Sequence, residues 1–200
     1  MAMRSLLDAA PLYRLFTYLI GGYDVRRTWI KKHVRPWAGA RVLDMGCGPA
    51  DMLEAMSGVR YTGFDPNQAY IRHARDRWGD QGVFVHKNIG EVADNEFADQ
   101  DLVLAFGVLH HLSDEQADEL FRVAYRSLKE GGRLITLDGC YREGQGWLER
   151  FLLRHDRGKF VRSEKHYLAL AEKRFSSITR TFDCAKLRLP YCTLTMECRK

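Results

Sequence analysis

Short apolar runs alternate with longer amphipathic segments through the middle of the chain, and glycine or polar residues close each run. The apolar runs predict strands at residues 41–45, 59–64, 82–86, 101–106 and 133–138. The amphipathic segments predict helices at residues 52–56, 68–78 and 113–128. Strands joined through helices pair in parallel by right-handed crossovers, so this order predicts a doubly wound α/β sheet.

Local signals refine the ends of these elements. Ser113, followed three residues later by Gln116, forms a capping-box pattern at the start of the longest helix. The Glu130-Gly131-Gly132 sequence predicts a left-handed stop at its end. Two later β-rich runs, 176–184 and 191–198, have no helix between them and predict an antiparallel pair. We therefore expect a mostly parallel, seven-stranded, Rossmann-like sheet with an antiparallel edge strand.

The length of 200 residues fits a single domain with its own core. We expect four regions within it: a helical lid at 1–40, a ligand-binding core at 41–140, a helical substrate cap at 141–174 and a C-terminal strand pair at 175–200. The apolar stretch at 6–20 is expected to be a lid helix that packs on the domain, and a helix that lies on a membrane surface is the alternative.

Composition excludes several classes of protein. No apolar run reaches the roughly 18 residues of a membrane span, and the N-terminus has no secretory signal pattern, so we expect a cytoplasmic protein. The five cysteines are scattered, without a Cys-x-x-Cys pair, and predict free thiols. No cluster of carboxylates and histidine at metal-ligand spacing stands out, so no metal cofactor is predicted.

The loop after the first strand carries the strongest chemical signal. Glycines at Gly46 and Gly48 let the backbone turn sharply and approach a ligand, and the helix that follows offers free amide donors. A dinucleotide-binding loop would have its third glycine at position 51, but Asp51 would place a negative charge against the pyrophosphate. A dehydrogenase is therefore disfavoured, and a purely structural turn is the alternative.

This loop resembles motif I of the class I S-adenosylmethionine-dependent methyltransferases, Asp/Glu-x-Gly-x-Gly-x-Gly. Asp44, Gly46 and Gly48 match it, and Ala50 replaces the last glycine. Asp65 follows Asp44 by 21 residues, where the family has an acid that accepts from both ribose hydroxyls. Three more segments resemble family landmarks in order: 87–89, 101–112 with its Val-Leu-His-His-Leu ending, and 128–134 with Glu130 in place of proline.

The resemblance implies S-adenosyl-L-methionine as methyl donor and assigns residues to its parts. Asp44 would orient the methionine amino group, Asp65 would hold the ribose, and Asn88 would contact the adenine. The other residues expected to line the cofactor are Cys47, Pro66, Ile89, Phe106 and Gly107.

A proton acceptor, where one is needed, is expected from the same rim of the sheet. The candidates are His110, His111 and Asp138, and they resemble the arrangement in sugar and natural-product O-methyltransferases. Packing or hydrogen bonding at the start of a helix is the structural alternative for both histidines.

Charge suggests the class of acceptor. The chain has a net charge of +5, and the excess of basic residues lies at 1–40 and 141–174. We therefore hypothesise that basic side chains there favour an anionic small molecule, such as a phosphorylated or carboxylated metabolite, sugar or lipid head group. The residues named for this role are Arg26, Arg27, Arg154, Arg157, Lys159 and Arg162, with Tyr141 at the rim. A solvated basic surface is the alternative.

The sequence thus predicts methyl transfer to an oxygen or nitrogen nucleophile of a small molecule. Amino-directed nucleic-acid methyltransferases carry Asn/Asp-Pro-Pro-Tyr/Phe after the fourth strand, and Phe106-Gly107-Val108 stands there instead, which argues against DNA. Two alternatives stay open: an RNA-modifying methyltransferase, favoured by a pI of about 9.0, and a non-catalytic, cofactor-binding partner protein. The oligomeric state is not predicted.

Overall fold

The computed structural model describes residues 22–155, 158–183 and 191–200, with the side chains of 22–25 left aside. The apolar stretch at 6–20, Arg157 and Cys184 lie outside the described residues, and so do the expectations attached to them.

The elements alternate as predicted. The helices are α1 (Gly22–Trp29), α2 (Gln68–Trp78), α3 (Asp114–Ser127), α4 (Trp147–Arg154) and α5 (Glu164–Ala171). The strands are β1 (Arg41–Met45), β2 (Arg60–Asp65), β3 (Gly82–His86), β4 (Gln100–Phe106), β5 (Leu128–Tyr141), β6 (Arg162–Ser163), β7 (Ser177–Asp183) and β8 (Thr193–Arg199). A π-helical turn at Ile30–Val34 continues α1.

The strands form one sheet in the order β3-β2-β1-β4-β5-β8-β7, and the short β6 pairs with β5. Strands β1 to β5 are parallel, while β8 runs antiparallel to both β5 and β7. The α/β fold with a mostly parallel sheet is therefore confirmed. The antiparallel strand itself is inserted between β5 and β7, so β7 forms the edge.

Both faces of the central strands are buried, which explains why their sequences read as continuous apolar runs. Along β4, Leu102 and Leu104 pack into one hydrophobic cluster, while Val103 and Ala105 pack into the other. Side chains that alternate along one strand thus serve two cores, one on each side of the sheet. The carboxyl ends of these strands form the rim where the site residues meet.

Two local predictions are corrected. The segment after β1 is a 3₁₀-helix at Asp51–Ala55 instead of a helix at 52–56. Helix α3 ends at Ser127 and passes directly into β5, so Gly131 does not stop the helix. Gly131 has the expected positive φ of 74°, but it lies in a register irregularity of β5, where its N–H donates to the Lys200 carbonyl at 3.1 Å.

The prediction that every cysteine is a free thiol is wrong at Cys192, which forms a disulfide. Cys47, Cys140 and Cys198 are free and buried. The absence of a Cys-x-x-Cys pair therefore did not exclude a disulfide, because pairing depends on the geometry of the folded chain. Within the described residues, no helix combines the length and apolar character needed to cross a membrane.

Candidate active site

The glycine loop is held against the end of β2 by its backbone. The N–H groups of Gly46 and Cys47 both donate to the Phe64 carbonyl, at 2.8 and 3.0 Å. Gly46 and Gly48 have positive φ values of 72° and 54°, and Ala50 keeps a left-handed conformation at 57°. A side chain at Gly46 would meet Val108, whereas the position beside Gly48 opens onto free space. The loop therefore presents bare backbone to that space.

Asp65 ends β2 beside this loop and is almost fully buried. Its Oδ2 accepts from the Gly48 N–H at 2.9 Å, and its Oδ1 accepts from the Asn67 N–H at 2.8 Å. Burial raises the pKa of Asp65, and these two backbone donors partly offset that rise. Each oxygen keeps acceptor capacity for a further donor, so the carboxyl could accept from a diol.

Asp44 lies on β1 immediately before the loop and is 1% exposed. Its Oδ2 accepts a hydrogen bond of 2.6 Å from the Tyr61 hydroxyl, while its Oδ1 has no hydrogen-bond partner among the described residues. Burial raises the pKa of Asp44 to about 7, the Tyr61 hydrogen bond lowers it, and nearby Asp65 raises it. An unpartnered buried carboxylate oxygen is costly unless a ligand donates to it.

The other predicted cofactor residues fall in neighbouring loops. Ile89 is buried, while the exposed Asn88 closes a capping box with Glu91. The Pro66 carbonyl lies 2.9 Å from Nε2 of His86. The Cys47 side chain packs inward, where a side chain on the facing Gly63 would collide with it. Cys47 therefore contributes its backbone, and not its thiol, to the surface of the glycine loop.

The turn after β4 joins the glycine loop on the same rim. Phe106 is half-buried, and its ring meets Trp29 of α1 edge-on at a centroid distance of 5.2 Å. Trp29, which the sequence analysis did not single out, also donates to the Thr195 hydroxyl at 2.8 Å. Gly107 has φ 67°, and its N–H donates to the Leu137 carbonyl at 2.7 Å.

His110 and Asp138 form a buried pair at this turn. Nδ1 of His110 lies 2.7 Å from Asp138 Oδ1, and the same oxygen accepts from the backbone N–H of His110 at 3.1 Å. Burial raises the pKa of Asp138, and contact with His110 lowers it. The structure therefore brings together two of the three predicted proton-transfer residues. His111 is exposed, with its ring 4.2 Å from that of His110.

A segment preceding β6 closes over His110. The Phe160 N–H donates to the His110 carbonyl at 2.9 Å. A Cβ atom on Gly158 would overlap Cδ2 of the His110 ring, so only glycine fits there. On the other side, the corresponding position at Gly107 is 3.6 Å from the His110 ring. The ring thus lies between two glycines, and nothing in the sequence pattern identified Gly158.

The predicted acceptor residues do not share one place. Arg162 is 4% exposed, and its guanidinium binds Asp114 and the carbonyls of the turn at Leu109 and Leu112. The Arg162 guanidinium therefore has a structural role. Arg154 is exposed at the end of α4, and Tyr141 is half-buried at the end of β5.

Comparison with known proteins shows what the central segment of the chain is similar to. Residues 42–132 match the family described as "Methyltransferase domain", and this span contains all of β1 but its first residue, β2 to β4, α2, α3 and the glycine loop. Residues 42–132 are thus similar to a methyltransferase domain, which supports the resemblance to the class I S-adenosylmethionine-dependent methyltransferase superfamily. S-adenosylmethionine is the cofactor of this superfamily, and the resemblance of the glycine loop is thereby confirmed.

The names of curated relatives of this chain are more specific than the family description. The chain is 29% identical over 168 residues to the ubiquinone biosynthesis O-methyltransferase of Erwinia tasmaniensis, and the match covers 76% of this chain and 65% of that protein. It is 34% identical over 116 residues to the Pseudomonas putida protein of the same name, covering 56% of this chain and 49% of that protein. The chain therefore spans less than two thirds of the length of these two relatives.

Solved structures agree with the fold of the methyltransferase domain. A TehB-like S-adenosylmethionine-dependent methyltransferase from Corynebacterium glutamicum matches with a TM-score of 0.69 and 17% identity, over 98% of this chain and 100% of that one. Phosphoethanolamine N-methyltransferase 2 of Haemonchus contortus, in complex with S-adenosylhomocysteine, matches with a TM-score of 0.70 and 16% identity, over 97% and 59% of the two chains.

The site residues of the methyltransferase domain fit the cofactor chemically. The space beside the Gly48 backbone is open, as a ligand that approaches this backbone would require. Asp65 could accept from ribose hydroxyls, and the unpartnered Oδ1 of Asp44 could accept from an ammonium group.

Proposed function

We propose that this domain is catalytically active and transfers a methyl group from S-adenosylmethionine to a hydroxyl of a small, anionic acceptor. His110 would remove the proton from that hydroxyl, with Asp138 holding the imidazole. The observation that carries this proposal is the 2.7 Å contact between His110 Nδ1 and Asp138 Oδ1 within a buried rim. The names of the curated relatives, which are O-methyltransferases, support oxygen over nitrogen.

The pair is arranged to define the role of each ring nitrogen. Asp138 Oδ1 already accepts from the His110 backbone N–H, so it acts as an acceptor toward Nδ1 as well. That favours the tautomer with hydrogen on Nδ1, and Nε2 then carries the lone pair that can take a proton. Asp138 also stabilises the imidazolium that forms when Nε2 is protonated.

The remaining residues of the site bind and orient. S-adenosylmethionine, when bound, supplies a methyl group made electrophilic by its sulfonium. Asp65 and the backbone at Gly48 would hold the ribose, and Asp44 would hold the amino group of the methionine portion. Gly107 adjoins both the end of β4 and the His110 ring, so the base lies next to the part of the site expected to hold the sulfonium. Positioning of this kind can supply about 7 to 11 kcal/mol of the barrier.

Lys159 supports an anionic acceptor. It is exposed between Gly158, which lies against the His110 ring, and Phe160, whose N–H binds the His110 carbonyl. A cation at this position would attract an acceptor that carries a carboxylate or phosphate near its reacting hydroxyl. Arg162 is excluded from this part of the proposal because its guanidinium is engaged internally.

The test combines cofactor binding with turnover. We expect S-adenosylhomocysteine to bind in calorimetry, and methyl transfer to occur with small hydroxylated acceptors, faster when the acceptor carries a carboxylate or phosphate. The substitution His110→Gln should lower kcat by roughly 10²-fold to 10⁴-fold while leaving S-adenosylhomocysteine binding unchanged, because it removes only the proton acceptor. His73→Gln on the exposed face of α2 is the matched control and should behave as the wild type.

Other results would contradict the proposal in distinct ways. Binding of S-adenosylhomocysteine with no turnover of any acceptor would favour a non-catalytic partner protein. Methyl transfer to RNA, with affinity that falls steeply as salt rises, would favour the RNA-modifying alternative. A loss of kcat for His111→Gln as large as that for His110→Gln would remove the distinction between the two histidines.

A further inference from the structure

Tyr61 contacts the cofactor-side carboxylate although it belongs to no motif. It lies on β2 two residues before Gly63, which pairs with Asp44 across the parallel ladder. Side chains two residues apart share a face of the sheet, so Tyr61 and Asp44 lie diagonally on one face. A Cβ atom on Gly63 would be 3.0 Å from the Tyr61 ring. The missing side chain at Gly63 therefore lets that ring reach Asp44.

We propose that Tyr61 is a positioning residue of the cofactor site, and that its hydroxyl fixes the Asp44 carboxylate for the ammonium group of the cofactor. The 2.6 Å hydrogen bond occupies Oδ2 and leaves Oδ1 as the acceptor. Rotation of Asp44 would break this hydrogen bond, so the bond selects one rotamer. This inference rests on the proposed function, since it assumes that Asp44 faces the methionine portion of the cofactor.

The titratable groups around Asp44 show why the Tyr61 hydroxyl is important for that carboxylate. The titratable groups that face Asp44 are Tyr61 from β2, Cys47 from the glycine loop and Asp65 from the end of β2. Burial and the Asp44 charge raise the pKa of Tyr61, so its hydroxyl stays protonated and remains a donor. Burial raises the pKa of Cys47 as well, so the thiol stays neutral. Tyr61 is therefore the group among these three that stabilises ionised Asp44.

The experiment measures S-adenosylhomocysteine binding by calorimetry between pH 6 and pH 9. In Tyr61→Phe the Asp44 carboxyl loses its donor and its pKa rises, so less of it is ionised near neutral pH. We expect the ratio of the Kd of Tyr61→Phe to that of the wild type to be roughly tenfold at pH 7 and below about twofold at pH 9. Titration of the ligand amine cancels in this ratio.

Two further variants separate position from packing. Tyr167→Phe removes another buried tyrosine hydroxyl, one that donates to the Gly139 carbonyl at 3.2 Å, and should leave the Kd ratio near one at every pH. Asp44→Asn should weaken binding and remove the part of the pH dependence that belongs to Asp44. A pH dependence of the Kd that is the same in Asp44→Asn as in the wild type would show that Asp44 does not supply it and would overturn the inference.

A second readout is independent of the cofactor. The carbon resonance of the Asp44 carboxyl in the free protein should titrate at a higher pH in Tyr61→Phe than in the wild type. An identical midpoint, or a Kd ratio near one at every pH, would overturn the role of Tyr61. Failure of the wild type to bind S-adenosylhomocysteine at any pH would instead contradict the proposed function.

Discussion

At the scale of single residues, Gly158 shows how a missing side chain can position the proposed base, His110. A Cβ atom at this position would overlap Cδ2 of the His110 ring and lie 2.6 Å from the carbonyl oxygen of His110. Contacts this short cannot be accommodated by a small adjustment, because one of the two atoms belongs to the backbone. The chain can therefore close over the His110 ring only with glycine at this position.

Substitution Gly158→Ala should accordingly displace His110 from Asp138. We expect kcat to fall by at least about 10²-fold, as for loss of a positioned base, while S-adenosylhomocysteine binding stays within about twofold of the wild type. Steady-state kinetics and calorimetry measure the two effects. Gly146→Ala is the control, since a Cβ atom there meets nothing within 4 Å and its φ of −64° suits alanine. Unchanged kcat in Gly158→Ala would show that the ring tolerates the displacement.

Residue-level predictions from the sequence succeeded where chemistry follows from a local pattern. Gly46 and Gly48 adopt the left-handed conformations that a sharp loop requires, and the Ser113 cap forms as expected. Tyr61 and Gly158 were missed because their roles depend on what lies opposite them. Neither a tyrosine in a strand nor a glycine among charged residues is unusual in sequence.

At the scale of elements, Arg162 holds the turn that carries His110. Its guanidinium binds the carbonyls of Leu109 and Leu112 at 2.8 and 2.7 Å and the carboxylate of Asp114, at the start of α3, at 2.7 Å. One buried cation thereby joins the 3₁₀ turn after β4, the first residue of α3 and strand β6. The planar, multi-donor guanidinium suits this task, whereas a lysine ammonium cannot reach all these acceptors together.

Substitution Arg162→Lys should lower the free energy of unfolding by roughly 2 to 4 kcal/mol, because buried acceptors are left without donors. Urea unfolding monitored by tryptophan fluorescence measures this change. Arg180→Lys is the matched control: Arg180 is 57% exposed and paired with Glu164 on the surface, so the expected change is below about 1 kcal/mol. Equal effects of the two substitutions would argue against the structural role of Arg162.

Elements were predictable to the extent that local signals define them. Helix α2 and strand β3 have the predicted bounds, and the C-terminal strands pair antiparallel as expected. The insertion of β8 between β5 and β7 was not predictable, because strand order depends on contacts far apart in sequence. The end of α3 was misplaced for a related reason: the pairing of Leu128 with Gln100 draws the chain into the sheet before Gly131 is reached.

At the scale of the whole molecule, the double covering of the sheet affects the chemistry at its rim. Helices on both faces exclude water from the central strands, and the carboxyls of Asp44 on β1 and Asp138 on β5 are buried with them. Each has one oxygen without a hydrogen-bond partner among the described residues, Oδ1 of Asp44 and Oδ2 of Asp138. Both groups therefore lower the stability of the free protein when ionised, as is expected of groups placed for ligands.

This arrangement predicts an unusual dependence of stability on pH. The pKa of Asp44 is raised to about 7 in the folded protein, so between its unfolded value and pH 7 the folded state binds more protons. The free energy of unfolding must then fall as pH rises through this range, by about 2.5 kcal/mol from pH 5 to pH 8 for this one group.

Asp44→Asn has no carboxyl to titrate at this position, so its free energy of unfolding should rise by that amount relative to the wild type over the same interval. Urea unfolding at the two pH values measures the difference, in which the contribution of Asp138 cancels. Asp80→Asn, which removes an exposed carboxylate, should keep the wild-type slope. A wild-type slope in Asp44→Asn would mean that Asp44 is already ionised at pH 5, and that its burial costs less than the folded structure implies.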